Sequence, residues 1–235
     1  MTTEITYIKN AMVLRDSAKT QRWYDVFGAN VVKWSEEGVV FPIDPTNRYT
    51  ETAVSIGVGT SAVAGSNAAG GALVATSAAN EDDGVQLQSP LEVFSFAAAY
   101  PFYMGICWQG GDVDQTDFLF GACITDTTLL GGMTDGIYFQ SVDGTGAVTL
   151  EIEKDSAATS IAIGTMTDAT NMTLELYWSG TALSAWVDGV QVTAALATTN
   201  LPNDELLTFS FAMLTGEGNA NTITIDWMRM FQIQA

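Results

Sequence analysis

Turn-forming clusters recur roughly every ten residues along most of this chain, a spacing that suits short strands and little else. From Tyr49 onward the sequence is mainly Gly, Ala, Thr, Ser and β-branched residues between those turns. No helical period survives there for more than about two turns. The reading is an all-β fold: a two-sheet antiparallel jelly-roll sandwich over 49–235 with an N-terminal extension, 1–48. Of the 235 residues, 47% are hydrophobic, enough for a real core. Strands are expected at Ala53–Val58, Glu92–Ala97, Phe118–Ile124, Asn171–Trp178, Leu183–Val187 and Asn221–Ile233, among others. The Ala/Gly/Ser-rich stretch Gly57–Gly71 reads as a long loop. Ser17 is placed to cap a short helix over Ser17–Phe27.

Two segments can be read residue by residue. Folding Asn171–Gly189 about Ser179-Gly180-Thr181-Ala182 sets Trp178 opposite Leu183, Leu176 opposite Ala185 and Leu174 opposite Val187. That face is wholly apolar and must pack inward. The other face carries Thr173, Glu175, Tyr177, Ser184, Trp186 and Asp188. In the last run, strict alternation puts Ile223, Ile225, Trp227, Arg229 and Phe231 on one side. A long terminal strand of this kind is expected mid-sheet, paired with an early strand.

Charge is distributed unevenly. Lys9, Arg15, Lys19, Arg22, Lys33 and Arg48 precede Tyr49, and six acids (Glu4, Asp16, Asp25, Glu36, Glu37 and Asp44) balance them. The body therefore carries the whole net charge of −19. Such a body repels nucleic acid and anionic membrane. The neutral front is the place for contact with a partner. There Arg15, Lys19, Arg22 and Lys33 are interleaved with Trp23, Tyr24, Phe27 and Trp34, the composition of interface centres. The other reading of that segment is an extra strand and loop packed on its own sandwich.

The chain has no histidine. Ser-His-Asp triads, Cys-His dyads and His-containing zinc sites are excluded by composition. Cys107 and Cys123 lie in apolar runs and read as buried thiols. No run of apolar residues is long enough for a membrane-spanning helix, and the first residues lack the apolar core of a secretory signal.

Two stretches carry a family resemblance: DFLFGACITDTTLLGGMTDGIYFQSVDG (Asp117–Gly144) and LELYWSGTALSAWVDGVQV (Leu174–Val192), followed by the closing TITIDWMRMFQ. Together they resemble structural proteins of tailed bacteriophages that have a concanavalin-A-like jelly-roll domain and serve as capsid decoration (cement) proteins or head fibres. The hairpin from Trp178 to Gly189 is also similar to one in lectin-like and laminin-G-like sandwiches, where it reports fold more than activity. The resemblance implies a non-enzymatic virion protein, made in the host cytoplasm and placed on the capsid surface. Its implied partners are the major capsid protein and sister copies in a dimer or trimer, with no cofactor. The alternative is a carbohydrate-binding, lectin-like fibre or adsorption module.

Three further sites bear on these alternatives. Sandwich-fold glucanases place acids as E-x-D-x-x-E on one strand, because retention needs carboxylates about 5–5.5 Å apart. Glu151-Ile152-Glu153 begins that pattern, but Ser156 stands where the third acid belongs, so no catalytic residue is assigned. Asp112, Asp114 and Asp117 are a weak calcium candidate on a Gly-rich loop. Tyr177 and Trp186, flanked by Glu175 and Asp188, would serve for glycan stacking. The competing reading is that the N-terminal segment covers this face and the rings are core.

Overall fold

Side chains alternate along a strand, so Thr116–Cys123 puts Phe118, Phe120 and Ala122 on one side and Leu119, Gly121 and Cys123 on the other. All of them are buried. The sheet holding this strand is therefore covered on both faces, and the same holds across much of the second sheet. The computed structural model describes residues 2–36, 49–54, 59–66, 71–97, 99–142 and 144–234.

The chain opens with β1 (Thr3–Ile8), β2 (Ala11–Asp16), β3 (Trp23–Phe27) and β4 (Val31–Glu36). Short strands follow: β5 (Thr50–Val54), β6 (Ala62–Ser66), β7 (Ala72–Thr76), β8 (Gly84–Gln88) and β9 (Phe94–Ser95). Next come β10 (Phe102–Gly110), β11 (Thr116–Cys123), β12 (Gly136–Ser141), β13 (Ala147–Lys154) and β14 (Ala157–Thr165). The chain closes with β15 (Met172–Trp178), β16 (Leu183–Val187), β17 (Val190–Gln191), β18 (Leu206–Thr215) and β19 (Thr222–Ile233).

Sheet I runs β17-β16-β15-β10-β19-β7-β6, with β4 also on β19. Sheet II runs β14-β13-β12-β11-β18-β8-β5, with β9 beside β18. A separate three-stranded sheet, β1-β2-β3, forms a cap. The pairings are antiparallel. As expected, the terminal strand β19 lies mid-sheet, with β10 on one side and β7 then β4 on the other.

The two sheets bury one continuous core between them. Trp108 stacks on Phe118 with ring centroids 3.9 Å apart, and Trp34 stacks on Phe209 at 3.4 Å. Leu174, Leu176, Trp178, Leu183 and Ala185 enter this core from the hairpin, in the register read from sequence.

Several expectations are corrected. Ser17–Phe27 is not a helix. The Asp16 carboxylate accepts the Ala18 and Lys19 N–H groups at 2.8 and 3.2 Å, making a turn, and Trp23–Phe27 then pairs with β2. The stretch read as a loop contains β6, an edge strand on β7 anchored by buried Val63; residues 55–58 and 67–70 lie outside the described residues. Glu92–Ala97 contracts to β9. On β19 a register shift opposite Cys107/Trp108 inserts Asp226 as an extra residue and reverses the alternation. Ile223 and Ile225 point inward, but so do Met228 and Met230. Trp227, Arg229 and Phe231 belong to the outer face. The extension also divides. β1–β3 form the cap, whereas β4 pairs along β19 and carries Trp34 into the main core.

A Cβ at Gly121 would lie 2.3 Å from the Ile137 carbonyl oxygen and 2.4 Å from Tyr138 Cβ. Gly121→Ala is therefore expected to destabilise the fold by about 1–3 kcal/mol. The urea midpoint should fall while the slope of the transition stays unchanged.

Candidate functional site

The outer face of sheet I is where the sequence placed a sugar platform. β15 presents Thr173, Glu175 and Tyr177 there, and β16 presents Ser184 and Trp186, with Glu175 directly opposite Trp186. The neighbouring β10 adds Tyr103, which is opposite Tyr177. Asp188 stays in the turn. Both Asp188 (φ 50) and Gly189 (φ 73) are left-handed, as a tight hairpin turn requires. The Asp188 carboxylate accepts the Thr173 N–H at 2.8 Å, so it braces its own hairpin.

The cap covers this platform. Its inner side is apolar because Ala11 and Val13 alternate with outward residues on β2 and an extra residue, Tyr24, brings Trp23 to the same face of β3 as Val26; all four are buried. Trp23 wedges between two tyrosines, its ring centroid 6.3 Å from Tyr103 (19° between planes) and 5.2 Å from Tyr177 (58°). Next to it, Arg22 Nε donates to Glu175 Oε2 at 2.6 Å, with a second guanidinium nitrogen 2.5 Å from the same oxygen. The Tyr103 hydroxyl donates to Glu175 Oε1 at 2.6 Å. Glu175 is 0% exposed, so both carboxylate oxygens are matched inside the protein. Lys19 Nζ donates to the Gly189 carbonyl. Arg229 lies over the Trp227 ring at 3.9 Å and donates to the Tyr24 carbonyl at 3.1 Å.

Electrostatics follow this packing. Burial disfavours the Arg22 charge, but the hydrogen bond and field of Glu175 outweigh it and raise its pKa. Burial pushes the Tyr103 and Tyr177 hydroxyls upward. The Ala18 N–H is the largest influence holding the Asp16 carboxyl below its ordinary 3.8, with Lys19 N–H, Tyr24 and Arg22 assisting against partial desolvation. Burial also raises Cys107 and Cys123, so both thiols stay protonated and poorly nucleophilic. Both are free.

The structure therefore separates the residues expected at an attachment surface. Trp23 and Trp34 are buried in the chain's own interior, and Arg22 points into the body. Arg15 pairs with Glu4 at 2.8 Å, and Tyr24 donates to Asp16 at 3.2 Å. Lys33 pairs with Asp25 and lies over the Phe27 and Phe231 rings. Of the aromatic anchors named, only Phe27 is well exposed, at 46%. The cap's outer side instead shows Ile5 (63%) and Tyr7 (72%), residues the sequence reading passed over. The alternation in TEITYI was the available signal. Tyr7, Met12 and Phe27 form one cross-strand row, and Ile5, Leu14 and Asp25 the next.

The acidic candidates do not converge. Among the described residues no group of three or more metal-ligating side chains could hold an ion, and Asp112, Asp114 and Asp117 form no such group. The side chain of Asn221 fills the centre of that loop, donating to the Asp112 carbonyl at 2.7 Å, to the Gln115 carbonyl at 3.2 Å and to Thr116 Oγ1. Glu151 accepts the Ser160 hydroxyl at 2.5 Å, and Glu153 accepts the Tyr138 hydroxyl at 2.9 Å, on the outer face of sheet II. That face is partly roofed by Leu129 and Met133, which pack against Leu119, Cys123 and Tyr138.

No protein-family model matches the chain, and no curated protein matches it. Solved structures do share its architecture. A protein of unknown function from Shewanella oneidensis MR-1 superposes with a TM-score of 0.57 at 13% identity, over 86% of each chain. Peanut lectin gives 0.58 at 13%, covering 87% of this chain and 98% of its own. A prokaryotic β-1,3-1,4-glucanase (lichenase) from a mouse hindgut metagenome gives 0.56 at 14%, covering 84% and 98%. The fold is a concanavalin-A-like jelly-roll sandwich.

Arg22→Met leaves Glu175 buried without its cation and is expected to cost about 3–5 kcal/mol, read by chemical denaturation. Combining it with Glu175→Gln should restore part of that loss, a coupling measured by the double-mutant cycle. Asp16 gives a pH signature. Its folded pKa is lowered, so its contribution is complete above the ordinary 3.8 and is lost as pH falls through the lower folded value. Acid titration of the Asp16→Asn variant should therefore show a shallower loss of cap stability below that pH than the wild type shows.

Proposed function

We propose that this chain is a non-catalytic structural protein of a phage virion. In this reading it decorates the outer shell and docks on the major capsid protein through the outer face of its cap. The observation that carries the docking part is the outer face of the cap, where exposed Ile5, Tyr7 and Phe27 flank half-buried Met12 and Leu14 on a sheet otherwise locked to the body. Single exposed apolar residues are ordinary, but a contiguous apolar patch on one face is the mark of an interaction surface. Its position fits the charge pattern, since the front end is neutral and the body carries −19. The virion assignment draws its support from the resemblance of Asp117–Gly144 and Leu174–Val192 to tailed-phage decoration proteins. The non-catalytic part is supported by the hydrogen bonds that already occupy Glu151 and Glu153.

One observation favours a second reading, carbohydrate binding: the sandwich is shared with peanut lectin and with the Emp46p carbohydrate recognition domain. Against it, Trp186 is buried, and Tyr177 and Glu175 lie under the cap rather than in an open groove.

Tyr7→Asp with Phe27→Asp changes only exposed side chains and should leave the body folded. Its association with shells of the phage that encodes it is expected to weaken at least about tenfold, a loss of about 1.4 kcal/mol or more. Normal decoration by the variant would remove the docking assignment. A glycan array probed with wild-type protein should show no saturable binding, and saturable binding would favour the second reading.

A further inference from the structure

The cap has an unpaired edge as well as an apolar face, and both belong to β1. In the sheet order β1-β2-β3, β1 has β2 on one side and nothing on the other among the described residues. The Ser17 N–H donates to the Thr2 carbonyl. Backbone groups alternate in direction along a strand, so the even-numbered residues of β1 bond to β2. Thr3, Ile5 and Tyr7 then turn their N–H and C=O groups to the open side. The same residues are exposed in their side chains. Natural edge strands are usually blunted by Pro, by outward Lys, by a bulge or by brevity. Two other edges here are blunted: β14 carries a bulge opposite Val148/Thr149, and β17 is two residues long. The β1–β2 register is continuous, and the charged residue of β1, Glu4, is held by Arg15 at 2.8 Å.

We propose that β1 is a homodimer interface, in which two copies of this chain join their caps edge to edge into one continuous antiparallel sheet. The edge is self-complementary. A two-fold axis through Ile5 sets Ile5 against its equivalent and Thr3 against the equivalent of Tyr7. Every outward backbone group of Thr3, Ile5 and Tyr7 then finds a partner, with side chains kept on their original faces. No like charges meet, because Glu4 falls opposite the equivalent of Thr6. The self-complementary register names a second copy as the partner, and charge restricts how the two can join. Two bodies that together carry the acidic excess repel one another, and pairing through the neutral fronts is the arrangement that keeps them apart. Dimerisation also doubles the apolar outer face without altering the packing beneath it. The pairing stands on β1 alone and holds whether or not the shell reading does.

Sedimentation equilibrium of the full chain over a concentration series tests it. The wild type is expected to approach twice the 25.0 kDa chain mass at high concentration. Ile5→Pro deletes an outward N–H and spares the bonds to β2, a substitution that edge strands tolerate. It should weaken association at least about tenfold. Ile5→Lys with Tyr7→Lys should do the same by placing charge on the edge. Near-UV circular dichroism confirms the fold of each variant. In the wild type itself, the Thr3, Ile5 and Tyr7 amides should exchange more slowly in concentrated than in dilute solution. A wild type that stays monomeric, folded variants that still dimerise, or edge amides indifferent to concentration would each overturn the assignment. Dimers that form but fail to bind shells would instead refute the shell reading alone.

Discussion

A carboxylate with no solvent access is tolerable only when its charge and lone pairs are matched, and Glu175 is matched from both sides. Tyr103, from the body, supplies one hydrogen bond, and Arg22, from the cap, supplies the cation. The cap is therefore part of how the body satisfies a buried charge. Trp23 beside it fills the space between Tyr103 and Tyr177, so apolar burial and ion pairing hold the same few residues in one geometry. Taking the cap away would expose an aromatic face and leave Glu175 without its cation.

This coupling decides how the molecule presents itself. A concanavalin-A-like sandwich offers the outer faces of two sheets. Here the cap covers one around Tyr103, Tyr177 and Phe231, and the other is partly roofed by Leu129 and Met133. The surface that gains prominence is the far side of the cap. Its inner face is committed to the body, and its outer face carries Ile5, Tyr7 and Phe27. In effect the cap exchanges one aromatic surface for another. The platform of Tyr177 and Trp186 is consumed internally, and the front end supplies a smaller apolar row away from the acidic bulk of the chain.

Much of the body was legible in sequence, because period-two alternation reports directly which face is buried. The hairpin register from Leu174 to Val187 follows from the apolar pairs alone. Alternation failed where one residue was inserted: Asp226 bulges from β19, and everything after it changes face. The cap was misread for a different reason. Trp23 and Val26 are three apart, a helical spacing, and they share a face of β3 only because Tyr24 is an extra residue in its pairing with β2. Aromatic and basic residues in the front end suggested an interface, but composition cannot distinguish a ring that meets a partner from one that meets its own body. Trp23 and Trp34 proved to be the second kind. The exposed Ile5 and Tyr7 lay in a plain alternating run without tryptophan or arginine to draw notice.

Native-state hydrogen exchange across β2 and β3 tests the central claim, that the cap is locked to sheet I through Arg22, Trp23 and Glu175. The account predicts that the Val13 and Leu14 amides, which β2 turns to β1 and to β3 in turn, open only with the strands of sheet I beneath them, with the same dependence on denaturant. Cap amides that exchange freely while β10 and β15 remain protected would contradict it.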